Sequence, residues 1–333
     1  WAGDNVGTLF AQKRNLLSLS HHAMWIDILR FNRQATDDLA RGRLDGLTLG
    51  DYLSWRRFGA PFRERYLLPM GAAIWSTPQL DMLNFPAKSL IAFFDNHRLL
   101  AGFNTGTWRT VRGGSRRYVE RLLASFSGAL RTSCGVASVS RDLHGVTVRD
   151  ERGGADRYDE IVFAGHPDQT LTLLQDADDV ERRILGAIRY APNRAVLHRD
   201  VSLMPRRTKV WSSWNYVTGD QPAGEQVSLT YWMNRLQSID RSLPLFVTLN
   251  PARPPRADKT FGTFDYAHPQ FDLAAQQAQQ ALGDIQGARR TWYCGAWCGY
   301  GFHEDGLTSG LEVAARLGAP APWATAALRR LAP

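Results

Sequence analysis

Apolar residues in the first hundred positions recur at the spacing of one helix face. Met24, Ile28 and Phe31 mark such a stripe, and Thr48 followed by Asp51 is typical of a helix start. Pro86 has the fixed backbone that suits a first helical turn. The pattern predicts a mainly helical region, with helices over 23–31, from Thr48 through 58, over 66–75 and from Pro86 through 94.

The second half of the chain has shorter apolar runs, rich in β-branched and aromatic residues and bounded by Gly, Pro, Asn and Asp, which predict strands. The predicted strands are Val136–Val139, Gly145–Val148, Tyr158–Ala164, Ala195–His198, Val210–Trp214, Val227–Trp232 and Leu245–Leu249. Further helices are predicted after Gly113-Gly114 through Leu130, and over Thr170–Leu174, Asp272–Leu282 and Leu307–Leu317. The sequence therefore predicts a mixed α/β (α+β) fold.

Composition limits the location and the partners. The 333 residues include three cysteines, an odd number that favours a reducing compartment over a disulfide scaffold. No apolar run approaches the length of a membrane span, and no signal peptide is visible at the start. We expect a cytoplasmic protein. The formal charge of +8 favours anionic partners, such as a membrane surface that the protein contacts peripherally. Arginine used for solubility explains that charge equally well, and no Lys/Arg block is long enough to indicate nucleic-acid binding.

The most informative segment runs from Trp292 to Gly310. A short apolar strand leads through a glycine-rich turn, which includes Gly295 and Ala296, into an amphipathic helix. Free N–H groups at a helix start can approach an anion or a polar ring edge when the residues there are small. On this reading the backbone of Gly306, Leu307 and Thr308 is the predicted contact surface.

This segment resembles the last cofactor-contacting segment of the FAD-dependent amine oxidase superfamily, which includes protoporphyrinogen oxidases and phytoene desaturases. The strand–turn–helix around Gly165 resembles the connection that returns the chain to the parallel sheet beside the cofactor. The resemblance implies FAD as cofactor, with contacts from the following residues: Gly165, Gly295, Ala296, Glu304, Asp305, Gly306, Leu307 and Thr308.

The resemblance also implies a domain layout. An FAD/NAD(P)-binding Rossmann-like domain, lacking its N-terminal βαβ unit, would be interleaved with a helical and β-sheet substrate domain. The chain contains no G-x-G-x-x-G, the usual fingerprint of that unit, so it would be the larger C-terminal part of a longer protein. The substrate domain would comprise 1–104 (helical) and 189–286 (β-sheet), and the FAD domain 105–188 and 287–333.

A finer resemblance extends through the whole chain. Phrases such as Met204-Pro205-Arg206-Arg207 and Gly301-Phe302-His303-Glu304-Asp305-Gly306 are similar to bacterial amine oxidase-like proteins. The same kind of domain is found fused to cyclopropane fatty acid synthases in plants, which implies a fatty-acyl or lipid substrate. Two departures argue against amine oxidation. Residues 192–198 contain no lysine where amine oxidases place one against the flavin, and Gly295-Ala296 stands where they carry Gly-Glu.

Two histidines are candidate catalytic residues. His303 falls near the position where amine oxidases place an aromatic ring against the flavin, and an imidazole there could transfer a proton. The alternative for His303 is a turn histidine that caps the helix that follows. Glu304 and Asp305 are placed just before that helix, where their negative charge offsets its dipole, so capping is their alternative role. His198 alternates with Asp200 on one strand face, so the two are either an acid/base pair or partners in a hydrogen bond.

The remaining aromatic and cysteine residues give weaker functional predictions. Aromatic residues between Trp211 and Trp232 could line an acyl tunnel or could simply form a sheet core. Cys294 and Cys298 are too few for a zinc site, so no metal is expected, and a redox disulfide between them is a minor alternative.

The predicted function is an FAD-dependent oxidoreductase that moves a hydride from an apolar, fatty-acyl or lipid substrate. The alternative is a non-catalytic flavin- or lipid-binding partner of a membrane-associated lipid-modifying enzyme.

Overall fold

The computed structural model describes residues 1–3, 5–101, 109–217 and 228–323, which form two compact units. Unit 1 contains residues 1–127 and 191–268, and unit 2 contains residues 128–190 and 269–333. The chain crosses between the units at 127/128, 190/191 and 268/269, where the sequence predicted 104/105, 188/189 and 286/287. The assignment of substrate binding to one unit and FAD binding to the other stays a prediction.

Helices dominate the first 124 residues. In unit 1 they are α1 (Val6–Leu9), α2 (Leu19–Ala40), α3 (Leu49–Trp55), α4 (Ala60–Phe62), α5 (Leu68–Trp75), α6 (Ala87–Asn96) and α7 (Arg116–Ala124), with α10 (Met233–Leu236) later in the chain. A π-helical turn, Arg63–Leu67, joins α4 to α5. The helices of unit 2 are α8 (Pro167–Leu173), α9 (Asp179–Gly186), α11 (Leu273–Gln280) and α12 (His303–Arg316).

The strands form three sheets. They are β1 (Val136–Asp142), β2 (Gly145–Asp150), β3 (Ala155–Tyr158), β4 (Ile161–Phe163), β5 (Tyr190–His198), β6 (Trp214–Tyr216), β7 (Leu229–Trp232), β8 (Phe246–Leu249), β9 (Thr260–Pro269) and β10 (Thr291–Tyr293). In unit 2, β1, β2 and β3 form an antiparallel sheet, while β4 and β10 pair in parallel. The third sheet has the order β6-β7-β8-β5-β9, and its pairs from β6 to β5 are antiparallel.

Helix starts follow the predicted caps. Thr48 accepts a hydrogen bond from the Asp51 N–H, and the Asp51 carboxylate accepts one from the Thr48 N–H, so α3 begins with a complete capping box. Asp272 caps α11 by accepting from the Ala275 N–H at 2.9 Å. These local bonds satisfy N–H groups that the helix itself leaves unpaired, which explains why the sequence predicts these starts well.

Aromatic packing builds the core of unit 1. The rings of Phe31, Phe58 and Phe62 lie with centroids 5.0–5.7 Å apart, and all three side chains are buried. Beside them Tyr52 donates a hydrogen bond to Asp38 at 3.1 Å, and the Asp38 carboxylate also pairs with Arg56. Large apolar residues of the helices therefore form the core of unit 1, because burying aromatic rings is strongly favourable.

Three predicted elements were wrong in part, and one strand was missed. Helix α7 ends at Ala124 and not at Leu130. The predicted strand 158–164 is interrupted at Asp159-Glu160, because β3 and β4 belong to different sheets. The predicted strand 210–214 is a 3₁₀ turn, Thr208–Val210, followed by β6. Strand β9 was missed, because its exposed edge position does not require a clear alternation of apolar and polar residues.

No helix within the described ranges is long and apolar enough to cross a membrane.

Candidate flavin site and substrate cavity

The parallel pair in unit 2 ends at two glycines. Strand β4 leads to Gly165 and β10 to Gly295, and the Cys294 N–H extends the pairing by donating to the Phe163 carbonyl at 2.9 Å. The crevice outside the carboxyl ends of parallel strands is where ligands bind in open α/β sheets. The structure therefore brings together the two predicted cofactor-contacting turns at this edge.

Gly295 is the most constrained position of this edge. Its φ of 149° and ψ of 168° belong to a region that side-chain-bearing residues rarely adopt. A Cβ atom there would lie 2.7 Å from Nε1 of Trp297. That indole is 3% exposed and donates to the Gly165 carbonyl at 3.2 Å. The turn can form only with glycine at this position.

Ser309 ties helix α12 to the same turn. The Gly295 N–H donates to the Ser309 hydroxyl at 2.9 Å, and the hydroxyl lies 3.1 Å from the Gly295 carbonyl oxygen and 3.0 Å from that of Gly306. A Cβ atom on Gly306 would come within 3.4 Å of the Ala296 nitrogen. Gly165, Gly295, Ala296 and Gly306 thus form one patch, which we call the glycine surface.

The start of α12 differs from the prediction. The helix begins at His303 and not at Leu307, because the Asp305 carboxylate accepts from the Phe302 N–H at 2.9 Å and caps the first turn. The Gly306 N–H already donates to the Phe302 carbonyl at 3.1 Å. The prediction that Gly306, Leu307 and Thr308 offer free N–H groups was therefore wrong. In an α-helix that begins at His303, the unpaired groups belong to the first turn.

The acidic residues Glu304 and Asp305 both lie in that first turn. Asp305 acts as a cap, which is the structural alternative raised for it, and Glu304 is exposed. His303, the first helical residue, is exposed as well. Two carboxylates at this end favour hydroxyl or N–H donors of a ligand over a phosphate, which they would repel.

His198 does not lie in any accessible site. Its ring is 0% exposed. Nδ1 lies 3.1 Å from the Asp200 N–H, which donates to it, so Nε2 carries the proton and donates to the Thr248 hydroxyl at 2.7 Å. Thr248 in turn bonds Thr230 at 2.9 Å. Burial lowers the pKa of His198. Both ring nitrogens are engaged inside the sheet, which fits the hydrogen-bond alternative, and a catalytic role of His198 stays a prediction.

A buried ion pair contacts the strand that leads to the glycine surface. Arg141 Nη1 and Nη2 bond the two Glu181 carboxylate oxygens at 2.5 and 2.8 Å, and the Tyr293 hydroxyl donates to Glu181 at 2.7 Å. Burial alone would raise the pKa of Glu181, but the bonds from Arg141, from the Asp178 N–H and from Tyr293 lower it to about 2. The network fixes Tyr293, the last residue of β10, two positions before Gly295.

The two cysteines of this segment are free thiols. Burial raises the pKa of Cys298 to about 12 and raises that of Cys294. A thiol must ionise before it attacks or binds a metal, so both are poorly suited to redox chemistry. Among the described residues, no cluster of three or more His, Cys, Asp or Glu side chains could hold a metal ion.

Unit 1 contains a cavity of about 850 Å³. Helical residues, including Tyr66, Met70 and Ala73, form part of its wall, and residues of the sheet region, including Trp214 and Leu229, form another part. Tyr216, also in the wall, accepts a hydrogen bond from Gln79 at 2.9 Å. The volume lies in the range of cavities that enclose small organic ligands.

Of the aromatic residues considered for an acyl tunnel, Trp214 and Tyr216 line this cavity. Trp211 and Trp232 instead stack edge to face within the sheet, with centroids 5.4 Å apart. The sequence signal was therefore correct for part of the set, because alternation along a strand separates two faces but does not say which face is open.

Comparison with known proteins decides the family. The family profile described as "Flavin containing amine oxidoreductase" matches residues 10–196, more than half of the chain. The chain belongs to this family. It is accordingly an FAD-dependent oxidoreductase by family, with FAD as the implied cofactor. No curated protein matches the sequence.

Solved structures share the fold. A fatty acid isomerase from P. acnes has a TM-score of 0.59 at 13% identity, over 90% of this chain and 75% of that one. Putrescine oxidase bound to putrescine has a TM-score of 0.61 at 13% identity, over 89% and 76%. A putative protoporphyrinogen oxidase from Exiguobacterium sp. 255-15 has a TM-score of 0.52 at 14% identity, over 84% and 70%.

The glycine surface fits the flavin end of FAD. A Cβ atom on Gly295 would point at the Trp297 indole and one on Gly306 at the Ala296 backbone, so these two glycines let the turn and helix α12 pack closely. At Gly165 the nearest atom to a Cβ would be Gln169 Oε1 at 3.9 Å, which leaves its backbone open to a flat ring or a polyhydroxyl chain. The acidic first turn of α12 suits ribityl hydroxyls and does not suit the pyrophosphate. Ser309 and Trp297, which hold this surface together, were not predicted as site residues, although both lie in the informative segment from Trp292 to Gly310.

Proposed function

We propose that this flavoenzyme oxidises an apolar substrate, a fatty acyl chain or another lipid, by transferring a hydride to FAD. The observation that carries the proposal is the cavity of unit 1, whose wall combines aromatic rings with aliphatic side chains over about 850 Å³. Apolar walls of this kind bind a hydrocarbon chain by removing it from water, at roughly 0.8 kcal/mol for each buried CH₂ group.

The glycine surface would hold the flavin, whose bound ring supplies the hydride acceptor. In this proposal Gly165 permits close approach of the ring system, Gly295 and Gly306 let the turn pack tightly against α12, and the Ala296 backbone lies beside the ring. Glu304 would accept hydrogen bonds from ribityl hydroxyls. Ser309 and Trp297 keep the turn in place through the bonds to Gly295 and Gly165 described above.

His303 would move the proton that accompanies the reaction. It is exposed at the first position of α12, next in the chain to the glycine surface, and an imidazole both donates and accepts protons near neutral pH. We expect His303→Gln to retain bound flavin and to reduce turnover by about a hundredfold, a typical size for the loss of a general acid or base.

Lipid is favoured over amine for two reasons. Residues 192–198 lack the lysine, and Gly295-Ala296 lacks the carboxylate, that the resemblance associates with amine oxidation. Among proteins with the same fold, one is a fatty acid isomerase. Putrescine oxidase also shares the fold, so the fold alone does not choose between the two substrate classes, and the cavity wall is the main support for a lipid.

A peripheral position on an anionic membrane is part of the proposal. Helix α7 and the residues that follow it expose Leu122 (64%), Leu123 (45%) and Phe126 (56%). The same helix carries Arg116, Arg117 and Arg121. Helices with one apolar and one basic face lie in the headgroup region of anionic bilayers. The test is co-sedimentation with phosphatidylserine vesicles. If neither the wild type nor Leu122→Glu sediments with the vesicles, the proposed membrane contact is contradicted.

The test is anaerobic reduction of the FAD-loaded protein by a substrate panel. An unsaturated C18 fatty acid, a phospholipid with the same chain, and putrescine are mixed with the protein while the visible flavin absorption is recorded. We expect an acyl substrate to bleach the flavin and putrescine to leave it oxidised. Bleaching by putrescine alone would overturn the lipid assignment. Flavin that none of these reduces, with lipid still bound, would favour the non-catalytic alternative.

A further inference from the structure

Two arginines in the wall of the unit 1 cavity have no acidic partner among the described residues. Arg206 and Arg207 line the cavity and are exposed. Neither side chain forms an ion pair or a hydrogen bond with any residue that the structure describes. Two exposed arginines elsewhere in unit 1 are paired, Arg194 with Asp265 at 2.8 Å and Arg256 with Asp258 at 3.0 Å. The cavity therefore presents guanidinium groups available to an anion.

The loop that carries these arginines is anchored at both ends. Met204 is 4% exposed and its N–H donates to the Val201 carbonyl at 3.1 Å. The Trp211 indole donates to the Pro205 carbonyl at 2.8 Å. The Val210 N–H donates to the Arg207 carbonyl at 3.1 Å. A fixed backbone reduces the ordering cost when the guanidinium groups bind a ligand.

The positive charge of the cavity wall favours a negatively charged ligand. Its described lining includes three arginines, Arg65, Arg206 and Arg207, against one carboxylate, Glu64. Arg65 already bonds Ser20 at 3.2 Å, which leaves the adjacent pair as the unengaged cations. A cationic amine would be repelled by this wall, whereas a carboxylate can accept the paired N–H groups of a guanidinium.

The rest of the wall selects an apolar tail. Met70, Ala73, Val210 and Leu229 contribute aliphatic surface, and Tyr66 contributes an aromatic face. One cavity thus contains both an anion-binding pair and a large apolar surface. A free inorganic anion would leave that apolar surface wet, and a neutral hydrocarbon would leave the guanidinium groups without a counter-charge.

We propose that the cavity binds long-chain carboxylates, with Arg206 and Arg207 on the carboxylate head and the apolar wall on the chain. This assignment rests on the proposed function, because it names the head group that the lipid substrate carries. It makes the arginine pair the specificity determinant that favours carboxylates over neutral lipids and over amines in the same cavity.

The experiment is isothermal titration calorimetry on the FAD-loaded protein with four probes. Decanoate, decan-1-ol and decylamine share one chain length and differ in head-group charge, and acetate carries the head without the chain. We expect decanoate to bind at least tenfold more tightly than decan-1-ol, and decylamine and acetate to bind more weakly than either. Arg206→Gln/Arg207→Gln should weaken decanoate binding by about tenfold to a hundredfold, the usual loss for a charged hydrogen bond.

The controls separate charge loss from misfolding. Arg182→Gln/Arg183→Gln removes another adjacent exposed pair, on α9 and outside the cavity lining, and should bind decanoate like the wild type. Unchanged decan-1-ol binding by the cavity variant would show that its cavity is intact. Equal affinity of the wild type for decanoate and decan-1-ol would overturn the proposal, as would full decanoate affinity in the cavity variant.

Failure of this assignment and failure of the proposed function give different results. If decanoate binding depends on the arginine pair but no acyl substrate reduces the flavin, the head-group site is supported and the oxidoreductase role on lipids is overturned. Flavin reduction by acyl substrates whose binding ignores the arginine pair keeps the function and overturns the site.

Discussion

The candidate site of unit 2 is formed by three glycines and one alanine, whereas the cavity of unit 1 is walled by rings, aliphatic chains and arginines. At Gly295 a single added carbon would meet the Trp297 indole. At Met70 or Tyr66 the wall consists of side chains that can change size or polarity while the backbone stays in place. A surface made of backbone therefore specifies one ligand shape rigidly, and a cavity made of side chains can change its ligand by substitution.

The two units also differ in the buried polar networks that hold their strands. In unit 2 a charged pair, Arg141 with Glu181, holds β10 through Tyr293. In unit 1 a neutral chain from His198 through Thr248 to Thr230 crosses the sheet. A buried charge left alone costs more than a buried hydroxyl left alone, so we expect the unit 2 site to be the more fragile.

The largest effect is expected from Arg141→Ala. It leaves the Glu181 carboxylate buried without its cation, which destabilises a protein by about 3–5 kcal/mol. Urea denaturation followed by fluorescence measures this loss. Since the folded pKa of Glu181 lies below its unfolded value, its contribution is present above about pH 4.5 and is lost as the pH falls toward 2.

Arg157→Ala is the matched control, because it breaks an exposed pair with Asp142 in the same unit. We expect little change in the urea midpoint for this variant. A midpoint for Arg141→Ala that equals the control would show that the buried pair does not support β10.

The next effect is expected from Gly295→Ala. The backbone conformation alone costs roughly 1–3 kcal/mol for a residue with a side chain, and the indole of Trp297 must also move. We expect bound FAD to fall more than tenfold, measured by the flavin absorption that remains after desalting. Gly310→Ala, a glycine of α12 with open space around it, should retain FAD.

A smaller effect separates a structural from a catalytic His198. Burial lowers its folded pKa below that of the unfolded chain, so below about pH 6.5 the unfolded state binds a proton that the folded state does not. We expect wild-type stability to fall as the pH drops from 7 to 5. His198→Gln should lose part of this dependence while it retains turnover. Turnover reduced a hundredfold in this variant would support the catalytic assignment.

The smallest effect is expected in the cavity wall. Met70→Leu conserves volume and should cost less than about 1.5 kcal/mol of stability. We expect unchanged FAD content and a changed KM for the acyl substrate, measured by steady-state kinetics. A loss of FAD equal to that of Gly295→Ala would erase the contrast between the two regions.

Local signals in the sequence were reliable where a few neighbouring residues decide the outcome. The caps at Thr48 and Asp272 are examples, as is the strand–turn–helix order around Gly295. The start of α12 was misplaced because Asp305 was read as preceding the helix, whereas it closes the first turn. The flavin family was recognisable because the glycine-rich turn and its spacing follow from backbone demands.

Tertiary placement could not be predicted in the same way. Alternation predicted that His198 and Asp200 share a strand face, but β5 ends at His198 and Asp200 caps the turn that follows. Nothing in the strand itself tells a core face from an open one. Trp297 is an aromatic residue in an apolar segment, and its contact with Gly165 joins positions 132 residues apart in the chain. Arg206 and Arg207 look like ordinary surface charge until the cavity beside them is known.

The central claim is that the glycine surface of unit 2 holds a flavin. The most direct measurement is the visible absorption spectrum of the protein expressed from the complete reading frame of its gene, incubated with FAD and desalted, beside Gly295→Ala treated identically. We predict flavin bands in the wild type that are at least tenfold weaker in the folded variant. A colourless wild type, or equal bands in both proteins, would contradict the account.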